Sequence, residues 1–495
     1  MSRPRLAIAS GNGAGCRAAV EVARAGGNAV DACLASAVAA WVAEPFFASM
    51  GGSGFVAVRG TDGVVEVFDG NNVMPLRIAE ASGTKQRRVY LDYSNGMYTG
   101  IGGASVAVPG VLAAVRLAWE RHGSIEWPAL FAGAIAAARD GIAFPHTSAY
   151  YLSITWEPIW SAFAPARRLL GGVEPLAEGD ELVQPELAEA LDMVAARGPE
   201  VFYAGSLGTE IIAAISADGG LMSLEDLVTY SAERRVPVTT EAFGWRIDSN
   251  PPPAMGGALL TMMLALLDGT NLEDPEERLR SIVEAERTAI GYRNERYNEP
   301  DDVAAAAEQG DRHGGQKRSS ATTHTSAADE DGLVCSITES NGYGAGLVVH
   351  GVMLNNTLGE EELNPVGARG LPAGARCHSN MAPTIATRDE RAVGLGSPGA
   401  DRIVGAVAQT ILRLALDGLS LREAVAAPRA HLAPRPEGHL LCFEPGLPGG
   451  DLGYRSRPYD EPHMFFGAVQ AASATSDGTV DAAHDPRRSG ASALV

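Results

Sequence analysis

The apolar positions of the chain change period along its length, and the period gives the elements. Ala19, Val20, Val22 and Ala23, then Val30, Cys33, Leu34 and Val38, recur at helical spacing and predict helices over 15–25 and 28–43, separated by Gly26-Gly27. The second is rich in alanine, which suits close helix packing. A glycine turn, Met50-Gly-Gly-Ser-Gly-Phe55, feeds two β-rich runs, Phe55–Arg59 and Val64–Phe68, joined at Thr61-Asp62-Gly63. This is a predicted hairpin. Strands follow the glycines, so a phosphate-binding loop, which opens a helix, is excluded there. Residues 110–200 read as mostly helical, with alanine-rich segments at Val111–Arg121 and Trp127–Asp140. Ser223, with Asp226 three residues on, predicts a capped helix start. Pro251-Pro252-Pro253 and Gly256-Gly257 predict a rigid loop before an apolar helix over Ala258–Leu267, and another helix covers about 275–297.

The pattern then shifts. Residues 303–321 are polar and contain almost no large apolar side chain, which predicts an exposed linker. Beyond it the runs are β-like: Leu333–Thr338, Gly346–Val349, Val352–Asn355, Thr384–Ala386 and Ala392–Gly394. Helices follow at Gly405–Leu416 and Leu421–Ala427, then strands near Phe466–Ala472 and Val480–Ala483. Helix and strand alternate too irregularly for a doubly wound sheet. Helices outside two stacked sheets, an α+β arrangement, fit better.

Composition narrows the partners. The 495 residues allow one large unit or two ordinary ones, and 46% hydrophobic with 20% charged residues supports a large core. The net charge of -21 disfavours nucleic acid and anionic lipid surfaces, and suits solubility or an amine-bearing substrate. The apolar stretches Ala32–Ala48 and Ala258–Leu267 are broken or too short for a membrane span, and no signal-peptide core follows Arg3 and Arg5. Five dispersed cysteines without a CxxC pair argue against a zinc site or disulfide framework, so the cytoplasm is the expected location. His313, His324, His350 and His378 lie in separate segments, and no metal or cofactor is expected. Cys377 beside His378 hints at a thiol nucleophile, but a buried structural cysteine is the commoner case.

Directly after the linker stands Thr322-Thr323-His324-Thr325-Ser326. The plain reading is a hydroxyl-rich strand edge. Position adds another. If the chain were cut at Ala321–Thr322, the Thr322 hydroxyl would become a nucleophile and its own α-amine, of pKa near 8, the base.

Here the sequence resembles the γ-glutamyltranspeptidase family of N-terminal-nucleophile hydrolases over essentially the whole chain. Gly26-Gly27-Asn28-Ala29-Val30-Asp31-Ala32, Glu44-Pro45, Gly51-Gly52-Ser53-Gly54-Phe55, the proline–glycine loop, Thr322-Thr323-His324, Leu354-Asn355-Asn356, Met381-Ala382-Pro383-Thr384, Gly396-Ser397-Pro398-Gly399 and Asp485-Pro486-Arg487-Arg488 follow in the family's order. The resemblance implies a four-layer αββα sandwich. It implies self-cleavage into a large piece, 1–321, and a small piece, 322–495, that stay packed together. Thr322 would be the nucleophile, Ser340 the hydroxyl that steadies it, and the N–H groups of Gly399 and Ala400 the oxyanion hole. Asn341, Ser379 and Asn380 would touch substrate, and Glu360 or Glu361 would meet its amine.

One position departs. Asn71 stands where the family places an arginine that clamps the substrate carboxylate, and asparagine offers neither charge nor fork. Arg376 and Arg402 are candidate replacements. The expected activity is transfer of an acyl group from a small amide or acyl compound to water or an amine, without cofactor. The alternatives are an acylase, amidohydrolase or C–C-cleaving hydrolase of another substrate on the same scaffold, and, more remotely, a non-catalytic binding paralogue. A homo-oligomer is left open.

Overall fold

Two antiparallel sheets carry the fold. The structure is a computed structural model, and the residues it describes are 3–80, 86–91, 97–297, 321–360, 363–364, 370–435, 438–448 and 452–495. The predicted linker, but for Ala321, and Glu361 lie outside them. Among the described residues the first sheet runs Ala491–Leu494, Leu6–Ser10, Ala321–Asp329, Val334–Gly342, Ser53–Arg59, Val65–Gly70, Glu233–Arg235. The second runs Val480–Ala483, Gln470–Thr475, Arg391–Gly396, Thr384–Arg388, Trp245–Ser249, Val238–Ala242.

The sheets meet through small side chains. Ala7, Phe55, Ala57, Val67, Ala328 and Val334 of the first pack with Ile385, Ala392, Ala472, Ala474 and Val480 of the second. Gly396 faces the His324 ring so closely that a Cβ there would lie 2.4 Å from the ring's Cε1. The other face of the first sheet, with Ile8, Val56, Val58, Ala327 and Ile337, packs on residues of helices Gly13–Arg24, Ala29–Ala43, Val111–His122 and Pro185–Arg197. The other face of the second, with Trp245, Ile247, Val393 and Leu395, packs on helices Gly256–Leu267, Pro275–Tyr297 and Arg402–Leu416.

Helix Ala29–Ala43 is buried at every residue, which its sequence already encodes: it is apolar or small on all sides. The helix opens on a reciprocal cap, in which the Asn28 side chain accepts from Asp31 N and the Asp31 carboxylate accepts from Asn28 N. Where sequence periodicity is long, the observed bounds fall within a few residues of those expected, as at Val111–His122 and Pro275–Tyr297. The Trp127–Asp140 segment divides into a 3-10 turn, Trp127–Leu130, and a helix, Ala132–Asp140. The Thr322–Ser326 run lies in an inner strand of the sheet. Thr325 and Ser326 are paired on both sides, with Leu6–Ser10 and with Val334–Gly342, whereas Thr322 and Thr323 pair with Val334–Gly342 alone. Among the described residues no helix is long and apolar enough to cross a membrane.

The far end of that strand is tied down by Asp329. Its carboxylate accepts from Ala29 N at 3.0 Å, at the N-terminus of the buried helix, and from Leu333 N and Asp331 N at 3.1 and 3.2 Å in the hairpin turn. Asp329→Ala removes all three hydrogen bonds at once. A destabilisation of about 2–3 kcal/mol is expected, read as a lower denaturation midpoint. An unchanged midpoint would show that the turn holds without it.

Candidate active site

Strand pairing sets the site. Thr322 is the register partner of Ser340 in an antiparallel pair, with a register irregularity between Ala321 and Thr322. Cross-strand partners share a face, so the two hydroxyls meet: Thr322 Oγ1 donates to Ser340 Oγ at 3.3 Å. Ser340 Oγ in turn accepts from Gly342 N at 3.2 Å. The Thr322 carbonyl accepts from Arg488 Nη1 at 2.7 Å, and that guanidinium lies over the Phe47 ring, 4.8 Å from its centroid. Thr322 is 1% exposed.

An open cavity of about 380 Å³, counting solvent at its mouth, reaches this pair. Its lining includes Asn71, Thr322, Ser340, Glu360, Ser379, Asn380 and Ala400. These expected site residues, from six stretches of chain, are therefore brought together. Asn341 is not among them: its backbone N–H donates to Phe47 O and its Nδ2 points to Met353 O. Gly399 lies just behind Ala400. Both have positive φ, 125° and 51°, and their carbonyls accept from Arg402 N and Ile403 N at the start of helix Arg402–Leu416. Neither Gly399 N nor Ala400 N donates to another group among the described residues. Two N–H groups at a helix N-terminus favour developing negative charge nearby.

Six lining residues were not singled out from the sequence as substrate contacts: Ser53, Thr357, Leu363, His378, Met381 and Ile403. Ser53 was legible in principle, since its strand pairs it with Ser340. Burial lowers the affinity of His378 for a proton, with the Pro253 carbonyl opposing, so it enters the cavity wall as a neutral ring. Cys377 is no activated thiol. Burial pushes it up to about 12, and its sulfur sits 3.8 Å from Met74 Sδ.

The two candidate clamps are engaged elsewhere. Arg376 lies on the far side of the segment that carries Asn71. There it bonds Asp69 at 3.2 Å, Ser231 O at 2.8 Å and Tyr230 Oη at 3.2 Å. Arg402 is buried, donates to Phe465 O at 2.9 Å and lies over the Phe465 ring. No arginine or lysine is found among the described residues that line the cavity; Glu360 is the carboxylate there. Asn71 Nδ2 donates to Cys377 O at 2.6 Å. No group of three or more metal-ligating side chains occurs among the described residues.

His324 faces the second sheet. Its Nδ1 meets Thr338 Oγ1 at 2.8 Å and its Nε2 meets Ser326 Oγ at 2.9 Å, a structural role.

Sequence and structure comparisons identify the family and the likeness of fold. The profile of the family described as gamma-glutamyltranspeptidase matches residues 15–313 and 305–495. The glutathione hydrolase proenzyme of Escherichia coli (strain K12) is 27% identical, over 97% of this chain and 90% of its own. The acylase ACY 1 proenzyme of Pseudomonas sp. (strain V22) is 31% identical, over 87% of this chain and 82% of its own. Among solved structures, the cephalosporin acylase of Bacillus halodurans superposes with a TM-score of 0.82 over 100% of this chain and 96% of its own, at 22% identity, a likeness of fold.

Burial holds the His324 imidazole down to about 3, against an ordinary value near 6.5. The unfolded chain therefore takes up a proton that the folded protein refuses. The contribution to stability is whole above about pH 6.5 and drains away as pH falls toward about 3. His324→Gln should flatten this slope, so that the fall in melting temperature from about pH 7 to about pH 4.5 is smaller than in the wild type. Parallel slopes would mean that the ring is hydrated.

Proposed function

The chain is an enzyme of the gamma-glutamyltranspeptidase family, and from that premise we propose that it is a self-processing threonine hydrolase or transferase. In this reading the precursor is cut between Ala321 and Thr322. Pieces 1–321 and 322–495 remain together as an αββα sandwich. The freed α-amine of Thr322 takes the proton of Oγ1 as that oxygen attacks the substrate carbonyl. Ser340 keeps the hydroxyl aimed. The N–H groups of Gly399 and Ala400 stabilise the oxyanion, the amine departs with the proton, and water or another amine attacks the Thr322 ester. The observation that carries this reading is the 3.3 Å contact of Thr322 Oγ1 with Ser340 Oγ beside an open cavity, at the first residue after the expected cleavage point.

For the acyl group, the lining favours the acylase alternative. A free α-carboxylate would face Asn71 and Glu360 with no arginine or lysine among the described lining residues. An acyl group with a neutral polar end near Asn71, and an amine toward Glu360, fits the charge. The acylase relatives point the same way.

Mass spectrometry and a denaturing gel test the chemistry. Wild type should give two fragments with Thr322 as a new N-terminus, Thr322→Ala a single chain, and Ser340→Ala a turnover lower by at least about tenfold. An intact and fully active chain would overturn the mechanism; an intact chain with no activity would favour the binding paralogue.

The substrate reading has its own test. The missing charged hydrogen bond is worth roughly 1.5–3 kcal/mol, or one to two orders of magnitude in kcat/KM. γ-Glutamyl anilides should be poor substrates, and Asn71→Arg should improve them. Efficient γ-glutamyl transfer by the wild type, reduced by the substitution, would place the clamp elsewhere.

A further inference from the structure

The face of the strand turned away from the cavity holds polar groups that the reaction never touches. Thr323 and Glu339 are register partners, one residue along from Thr322 and Ser340, so both side chains point to the opposite face, toward helix Ala29–Ala43. There Thr323 Oγ1 donates to Glu44 Oε2 at 2.6 Å, and Asn12 Nδ2 donates to the same oxygen at 2.9 Å. Trp41 Nε1, one helical turn before Glu44, donates to Glu339 Oε2 at 2.6 Å. Glu44 and Glu339 are 1% and 2% exposed. Gly11 lets the chain pass over this cluster, since a Cβ there would come within 2.4 Å of Thr323 Oγ1 and 3.3 Å of Glu44 Oε2.

Two buried carboxyls, each with its own donors, thus lie on the face behind Thr322, and the charge of Glu44 acts on Glu339. The charged and titratable groups around them are few. Arg488, from the C-terminal segment, acts on Glu44 while its Nη1 holds Thr322 O. From the helix, Cys33 faces Glu339, and burial keeps that thiol protonated. Two like charges in such a place repel strongly, and one cation offsets only one of them.

On the reading of Thr322 as nucleophile, we propose that Glu44 and Glu339 are positioning residues that hold a single proton between them, and that the singly charged pair fixes the Thr322–Thr323 end of the strand against the cavity. Glu44, with Arg488 near and two donors, carries the charge. Glu339, bonded by Trp41, carries the proton. Burial, with Glu44 adding to it, pushes Glu339 up to about 8. Burial also raises Glu44, opposed by Arg488, Thr323 and Asn12. Loss of the shared proton sets two carboxylates against each other one residue from the nucleophile, and turnover falls.

The test compares pH profiles of kcat and KM for the wild type and Glu339→Gln, which keeps an acceptor for Trp41 and cannot ionise. In the wild type kcat should fall about tenfold per pH unit above about 8. Glu339→Gln should keep its plateau through that range, with KM and the rising acid limb unchanged. The same alkaline fall in both proteins, or a uniform pH-independent loss in the variant, would overturn the proposal.

Two readouts stand apart from catalysis. A carboxyl raised on folding contributes stability below its unfolded value, near 4.3, that is lost as pH rises through about 8. The melting temperature of the wild type relative to Glu339→Gln should therefore decline from about pH 5 to about pH 8. In the unmodified protein, the infrared carbonyl band of a protonated carboxylic acid should be present at about pH 6.5 and titrate away near 8. Absence of that band overturns the pair even if the variant fails to fold. Both readouts are independent of which residue is the nucleophile. An active Thr322→Ala would overturn that assignment and leave them standing.

Discussion

The antiparallel register between Ala321–Asp329 and Val334–Gly342 is the constraint on which the site depends. Side chains alternate along a strand, so one register decision sorts the whole segment into two sets. Thr322, His324, Ser340 and Thr338 face the cavity and the second sheet, while Thr323, Thr325, Glu339 and Ile337 face the buried helix. A slip of one residue would turn the Thr322 hydroxyl into the helix packing and bring Thr323 to the cavity. Bonds outside the strand pair oppose that slip. Asp329 fastens the far end to the helix N-terminus, Arg488 holds the Thr322 carbonyl, and Glu44 holds Thr323.

Much of this was legible in the sequence, and what was not has identifiable causes. Long amphipathic or all-apolar helices announce themselves by period, as at Ala29–Ala43 and Arg402–Leu416. Short strands do not. Leu6–Ser10 and Ala491–Leu494 carry only four or five residues each, too few for alternation to stand out, yet they pair with each other and complete the first sheet next to the Thr322 strand. The resemblance to a known family located Thr322, Ser340, Asn71, Ser379, Asn380 and Ala400, which all reach one cavity. It also brought forward Asn341, whose side chain, one residue along the strand from Ser340, points to the opposite face. Arg376 and Arg402 illustrate the limit of linear reading. Charge is visible in a sequence, but whether a guanidinium is already occupied by a carboxylate or a carbonyl is decided by tertiary packing alone.

The electrostatics of the two faces differ in kind. Toward the cavity, the polar groups of the described lining residues are small and mostly neutral: hydroxyls, amides, an imidazole and the Glu360 carboxylate. Toward the helix, they are buried and held by named donors, such as Thr323 and Asn12 on Glu44 Oε2 and Trp41 on Glu339 Oε2, so each carries more weight per group. A site of this type keeps its reactive oxygen near solvent-accessible space while its scaffold stays rigid. On the proposed reading, exchange of one wall side chain, as Asn71 for an arginine, alters the substrate without disturbing the strand that carries Thr322.

The first sheet also sets an order of events during synthesis. Leu6–Ser10 is held between Ala491–Leu494 and Ala321–Asp329, and Arg488 reaches Thr322 from the same late segment. Segments hundreds of residues apart must meet before the strand has all its partners, the slow kind of closure in folding. A nascent chain that has emerged only through Thr322 and Ser340 lacks both the neighbouring tail strand and the arginine on the Thr322 carbonyl. On the proposed reading, a chain truncated before Arg488 presents Thr322 without its tail-strand neighbour and carbonyl partner, and is expected to stay uncut.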